Sequence, residues 1–138
     1  PTTASECDGR GLWLHAHCDE YALERLLAHA PGVKIIWAHT GMSTPLSQVD
    51  ALFAKYPQIM GELSFRNDLL VEEKKLDPGW LALLTKYPTR FMLGTDTWIN
   101  QRWAYVPELI AYYRKVLAQL PLPLAENLAF KNGLAALQ

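Results

Sequence analysis

The sequence has 138 residues, of which 50% are hydrophobic and 20% charged, with a formal net charge of -1. That balance fits a globular domain or part of one, and the near-neutral charge gives neither nucleic acid nor an anionic membrane an electrostatic hold. No apolar run approaches the roughly 20 residues of a membrane span, no secretory signal is expected, and Cys7 and Cys18 are too few for a disulfide framework, so a reducing cytoplasm is the expected location.

Taken in chain order, residues 1–10 read as a polar, flexible lead. Pro1 in place of Met predicts a chain cut from something longer. The apolar run "GLWLHAH" predicts a first strand over 11–17 that ends in His15 and His17, and a helix follows over 19–30. Strands are then expected near 33–39, 58–64 and 90–96. Further helices are expected near 45–56, 77–87 and 105–119, with a short final one near 124–136.

Three segments share one pattern: "LLAHAPGVKIIWAH", "LFAKYPQIMGELS" and "LLTKYPTRFMLGTD". Each opens with the last turn of an apolar-periodic helix and then meets Pro31, Pro57 or Pro88, which cannot continue it. Each continues as an apolar, β-prone run of the kind buried in parallel sheets, and ends on a polar residue: His39, Ser64 or Asp96. Strands alternating with helices of about a dozen residues imply βα units. The repeat length suits about four units of a (β/α)₈ TIM barrel, half of its usual eight. An open doubly wound sheet satisfies the same periodicity.

In either architecture ligands gather at the carboxyl ends of the strands, and here those ends carry His15, His17, His39, Glu62, Ser64 and Asp96. Alternation along a strand predicts that His15 shares a face with Trp13 and His17, His39 with Trp37, Ser64 with Glu62, and Asp96 with Met92. Imidazole and carboxylate together suit zinc and similar divalent ions. His39 and Asp96 stand at the same offset after their prolines, which predicts that they and His15 converge on one concave region. Taken singly, each has a plainer reading: a hydrogen-bonded structural histidine, or an aspartate capping a helix or turn. Arg102, in the loop "TWINQRWAY", is either an anion-binding guanidinium in a pocket wall or a surface residue. Cys18 reads as a small half-buried thiol.

The run "LHAHCDE" to "LERLLAHAPGVKIIWAHTG", then "GELSFR", "RFMLGTDTW" and "ENLAFKNGLAAL", resembles the C-terminal half of metal-dependent amidohydrolases. The nearest branch is the amidohydrolase-related one that includes the aminocarboxymuconate-semialdehyde decarboxylase type and the dicarboxylate lactonases. The resemblance implies a half TIM barrel of metallo-dependent hydrolase type over residues 11–138. It implies His15 and Asp96 as metal ligands, and Asp96 and His39 as catalytic residues. His17 would contact the substrate or serve as an alternative ligand, and Ser64 and Glu62 would line the pocket; Arg102, on the loop reading above, is the further expected substrate contact. The implied cofactor is a divalent metal, zinc ahead of manganese, which the chain alone would hold poorly. Its first-strand His-x-His ligand pair has no counterpart here.

The function expected on this basis is metal-dependent hydrolysis, or a related decarboxylation, of a small carboxylated substrate. The alternative is a non-catalytic α/β half-barrel module that pairs with another chain. The expected partners are the missing N-terminal half-barrel or a second copy, since a half-barrel should self-associate through an apolar face containing Trp13, Trp37, Met60 and Met92.

Overall fold

The computed structural model describes residues 3–138. They form two compact units, one ending at Glu62 and the other beginning at Leu63. The polar lead is helical over Thr3–Arg10 (α1), with Ala4 buried. In the first unit β1 (Trp13–Ala16), α2 (Glu20–His29), β2 (Lys34–Trp37), α3 (Leu46–Lys55) and β3 (Ile59–Glu62) follow in strict alternation. The strands pair in parallel and in chain order, with His15 opposite Ile36 and Ile36 opposite Met60.

Local chemistry accounts for these boundaries. Asp19 caps α2 by accepting a hydrogen bond from the Ala22 amide at 2.8 Å, satisfying one of the orphan donors of the first turn. Helices α2 and α3 stop two residues before Pro31 and Pro57, because the residue preceding a proline is pushed into extended backbone. Ile35, Trp37 and Ile59 on the strands, with Leu23, Leu27, Val49 and Phe53 on the helices, are buried and form the unit's core.

The register corrects part of the expected open face. Trp37 lies opposite Ala16 and Gly61, not in register with Trp13. It is fully buried, and its indole N–H donates to the Cys18 carbonyl at 2.8 Å. Met60 is also buried, which leaves Trp13 and Met92 half-buried. The expected apolar face is therefore smaller than the sequence pattern predicted.

The second unit opens with a short hairpin, β4 (Leu70–Val71) and β5 (Lys75–Leu76), and continues through α4 (Pro78–Lys86) to β6 (Phe91–Met92). Asp77 caps α4, accepting from the Trp80 amide at 3.0 Å, with Pro78 in the first turn. The Leu63 amide donates to the Met92 carbonyl at 3.0 Å. A short helix α5 (Asn100–Trp103) precedes α6 (Val106–Leu117). A last helical stretch runs through α7 (Leu122–Glu126), a π-helical turn over Asn127–Lys131 and α8 (Asn132–Ala136). Leu63, Leu69, Trp80, Leu84, Phe91, Val116 and Leu128 make the core. Asn132 joins the last helix to the β6 strand: its amide donates to the Pro88 carbonyl at 3.0 Å and the Phe91 carbonyl at 2.8 Å. No helix among the described residues is long and apolar enough to cross a membrane.

Candidate functional site

The stretch "WAHTG" builds one candidate site by a departure from strand geometry. Strand β2 ends at Trp37, and His39 (φ 56°, ψ 11°) and Thr40 (φ 44°, ψ 48°) then take left-handed backbone. Such values are uncommon for non-glycine residues and a true outlier for β-branched Thr40. The turn breaks the alternation, so His39 does not share the face of Trp37 as expected. Its backbone N–H instead donates to Glu62 Oε2 at 3.0 Å, and its Nδ1 lies 3.5 Å from the same oxygen. The Thr40 hydroxyl donates to the Glu62 carbonyl at 2.9 Å. Gly41 sits at φ 72°, where an added Cβ would run into the Trp37 ring and the Thr44 hydroxyl. Each residue of the motif except Ala38 thus has a physical task.

His39 is only 3% exposed and Glu62 6%, so imidazole and carboxylate meet away from bulk water, where charge–charge interactions are stronger. The His17 ring packs edge-on against His39, centroids 4.9 Å apart at 80°. His17 is itself exposed, and the Cys18 carbonyl next to it accepts from the Trp37 indole. His15, the expected metal ligand, is exposed on β1; the ring brought to His39 is that of His17. His17 and Cys18 also border a cavity of about 690 Å³, with Leu14, Ala22 and Leu26 among its walls. Burial, with Asp19 adding to it, pushes the Cys18 thiol up to about 11, so this cysteine is a neutral thiol at neutral pH.

The remaining predicted residues lie in the second unit. Asp96 takes left-handed backbone at φ 49°, with Arg102 Nη2 at 3.5 Å from its Oδ2. Ser64 is buried and lines a cavity of about 270 Å³ together with Arg102. The Tyr113 hydroxyl donates to the Gly94 carbonyl at 2.8 Å and also lies 3.3 Å from that of Leu63. Arg66 is buried beneath its bidentate pair with Asp68 (2.9 and 2.7 Å) and stacks on Trp80 at 4.7 Å.

Sequence reasoning missed Thr40, Phe65, Tyr105 and Tyr112 as site residues. The last two had a signal: Tyr105, Leu109 and Tyr112 recur at helical spacing and all line the cavity of the second unit. The expected metal does not fit the donors of this chain on their own. Among the described residues no group of three His, Cys, Asp or Glu side chains is arranged to hold a metal ion.

The architecture is α/β with parallel strands, and its fold is similar to that of a solved TIM barrel. That structure is an uncharacterized TIM-barrel protein from Bordetella bronchiseptica, similar over 97% of this chain with a TM-score of 0.64 at 13% sequence identity. The chain spans about half that protein's length, 48%. No family model matches the chain, and no curated protein matches it.

Proposed function

We propose that this chain is the C-terminal half of a TIM-barrel enzyme that hydrolyses or decarboxylates a small carboxylated molecule, with His39 moving the proton. One observation carries the reading: a buried histidine at a strand's carboxyl end, held in costly left-handed backbone by a buried carboxylate. Residues kept in such conformations cluster at active sites, where the surroundings over-determine them. The side of the fold agrees, because TIM-barrel chemistry sits at the carboxyl ends of the strands.

Glu62 beside Nδ1 orients the imidazole and stabilises the imidazolium that forms when the ring accepts a proton. Hydrolysis and decarboxylation both need such a proton relay, to a leaving oxygen or to the carbon that loses carbon dioxide. Zinc or manganese, implied by the resemblance, would supply Lewis acidity, but His15 and Asp96 alone do not make its site, and no step here depends on it.

The test is turnover by the full-length protein on a panel of small carboxylated lactones and 3-oxo acids. His39→Asn should lower kcat by about 10²–10⁴, the usual worth of a positioned acid–base group. Glu62→Gln should cost less, because the amide oxygen can still accept from the His39 backbone N–H. Wild-type turnover in His39→Asn overturns the assignment.

A further inference from the structure

The second unit holds a cavity lined by one guanidinium and several aromatic rings. Its volume is about 270 Å³. The Arg102 guanidinium lies 4.2 Å over the centre of the Phe65 ring, a stacking that fixes a planar cation in one orientation. Asp96 approaches Arg102 to 3.5 Å, well beyond the roughly 2.7–2.9 Å of a strong charge-assisted bond. A guanidinium carries about five N–H donors, so one loosely held carboxylate leaves capacity for a second acceptor.

The walls add shape. Phe65, Tyr105 and Tyr112 line the space with flat aromatic surface, Phe65 and Tyr105 being partly open to solvent, and buried Ser64 lies beside them. Phe65 stands at φ 62°, where a bulky side chain is strained. Strain of this kind persists at ligand clamps, and here it sets the ring beneath the guanidinium. Burial pushes the Tyr112 phenol up to about 12, so that wall stays neutral at neutral pH. Glu108 also lines the cavity, and with Asp96 beside Arg102 it works against any anion, a second negative charge most of all.

We propose that this cavity binds a small planar monocarboxylate of about the size of benzoate, its carboxylate on Arg102 and its ring against the aromatic wall. The inference rests on the second unit alone and goes beyond the His39 reading. A pocket with a stacked arginine and aromatic sides matches both ends of such a molecule, in the manner of sites with few polar groups in an apolar lining.

Titration calorimetry of the full chain with benzoate, cyclohexanecarboxylate and inorganic phosphate tests it. Benzoate should bind saturably and several-fold more tightly than cyclohexanecarboxylate, and phosphate should not displace it. Arg102→Met should weaken benzoate by about tenfold or more, a loss of about 1.4 kcal/mol or more. Arg102→Lys should fall between that variant and the parent. In the unmodified chain, nuclear Overhauser contacts should join the benzoate ring to Tyr105 and Tyr112, a readout that needs no variant. Absence of saturable benzoate binding, equal affinity in a folded Arg102→Met, displacement by phosphate, or absence of those contacts would each overturn the proposal.

Discussion

Replacing Asn132 by leucine is the sharpest test of how the strand before Asp96 is held. The side chain is 5% exposed, and its single amide group donates to two carbonyls, Pro88 at 3.0 Å and Phe91 at 2.8 Å. Leucine has nearly the same shape and no donor, so both bonds vanish while the volume stays filled. Each net hydrogen bond is worth about 1 kcal/mol, and a buried acceptor left without a partner raises the loss. The expected destabilisation is about 2–4 kcal/mol. With an unfolding entropy of about 2.1 cal/mol/K per residue over 138 residues, Tm should fall by about 7–14 °C. Asn132→Asp should do at least as much harm, since a carboxylate cannot donate to a carbonyl and would be buried beside two of them. Thermal and urea unfolding followed by far-UV circular dichroism measure both variants. A leucine variant with Tm within about 2 °C of the parent would show that these bonds do not hold the strand, whatever their length.

Two further perturbations probe groups outside the proposed chemistry. Trp80 is fully buried, and among the described residues its indole N–H is the buried side-chain donor without a partner; Trp80→Phe removes that orphan at the expense of a small void. Urea unfolding should place this variant within about 1 kcal/mol of the parent, against about 3–5 kcal/mol for a truncation to alanine, and a loss above about 3 kcal/mol contradicts the assignment. The Cys18 thiol, raised from 9.0 to about 11, favours its neutral form in the folded chain. Its contribution to stability is therefore complete below pH 9 and lost as pH climbs from 9 to 11. Alkylation of Cys18 by iodoacetamide at pH 8 should be slower in the folded chain than in urea; equal rates would show that burial does not protect it.

The alternation of strands and helices was legible because its punctuation is covalent. Helices α2, α3 and α4 each end two residues before a proline, and no tertiary contact can alter a proline's backbone. Strand β6 is shorter than its apolar run predicts. Beyond Met92 the Leu93 amide bonds the Leu128 carbonyl and the Gly94 carbonyl accepts from Tyr113, so helices from later in the chain take groups a ladder would have used. The β4–β5 hairpin was hidden for a different reason. Its turn places Glu72 and Glu73 at φ 49° and 55°, positions where Asn-Gly or Asp-Gly is the recognisable signal, and a run of charges looks like solvated loop. At the site, the sequence marked His17, His39 and Glu62 by position but not their partnership, because that depends on a left-handed turn which β-branched Thr40 disfavours.

That turn belongs to a wider pattern. His39, Phe65 and Asp96 each follow a strand within a few residues, and each has positive φ. Aspartate tolerates this region through its short polar side chain, and histidine is enriched there too. Phenylalanine has no such excuse, so at Phe65 the compensation must come from what the ring touches, and the Arg102 guanidinium over its face is the contact at hand. Glycine would relax the backbone at any of the three positions. It would also delete the imidazole that meets Glu62, the ring under Arg102 or the carboxylate beside it. A chain that keeps a costly backbone where glycine would be easy is keeping the side chain, and in each case that side chain is aimed at charge.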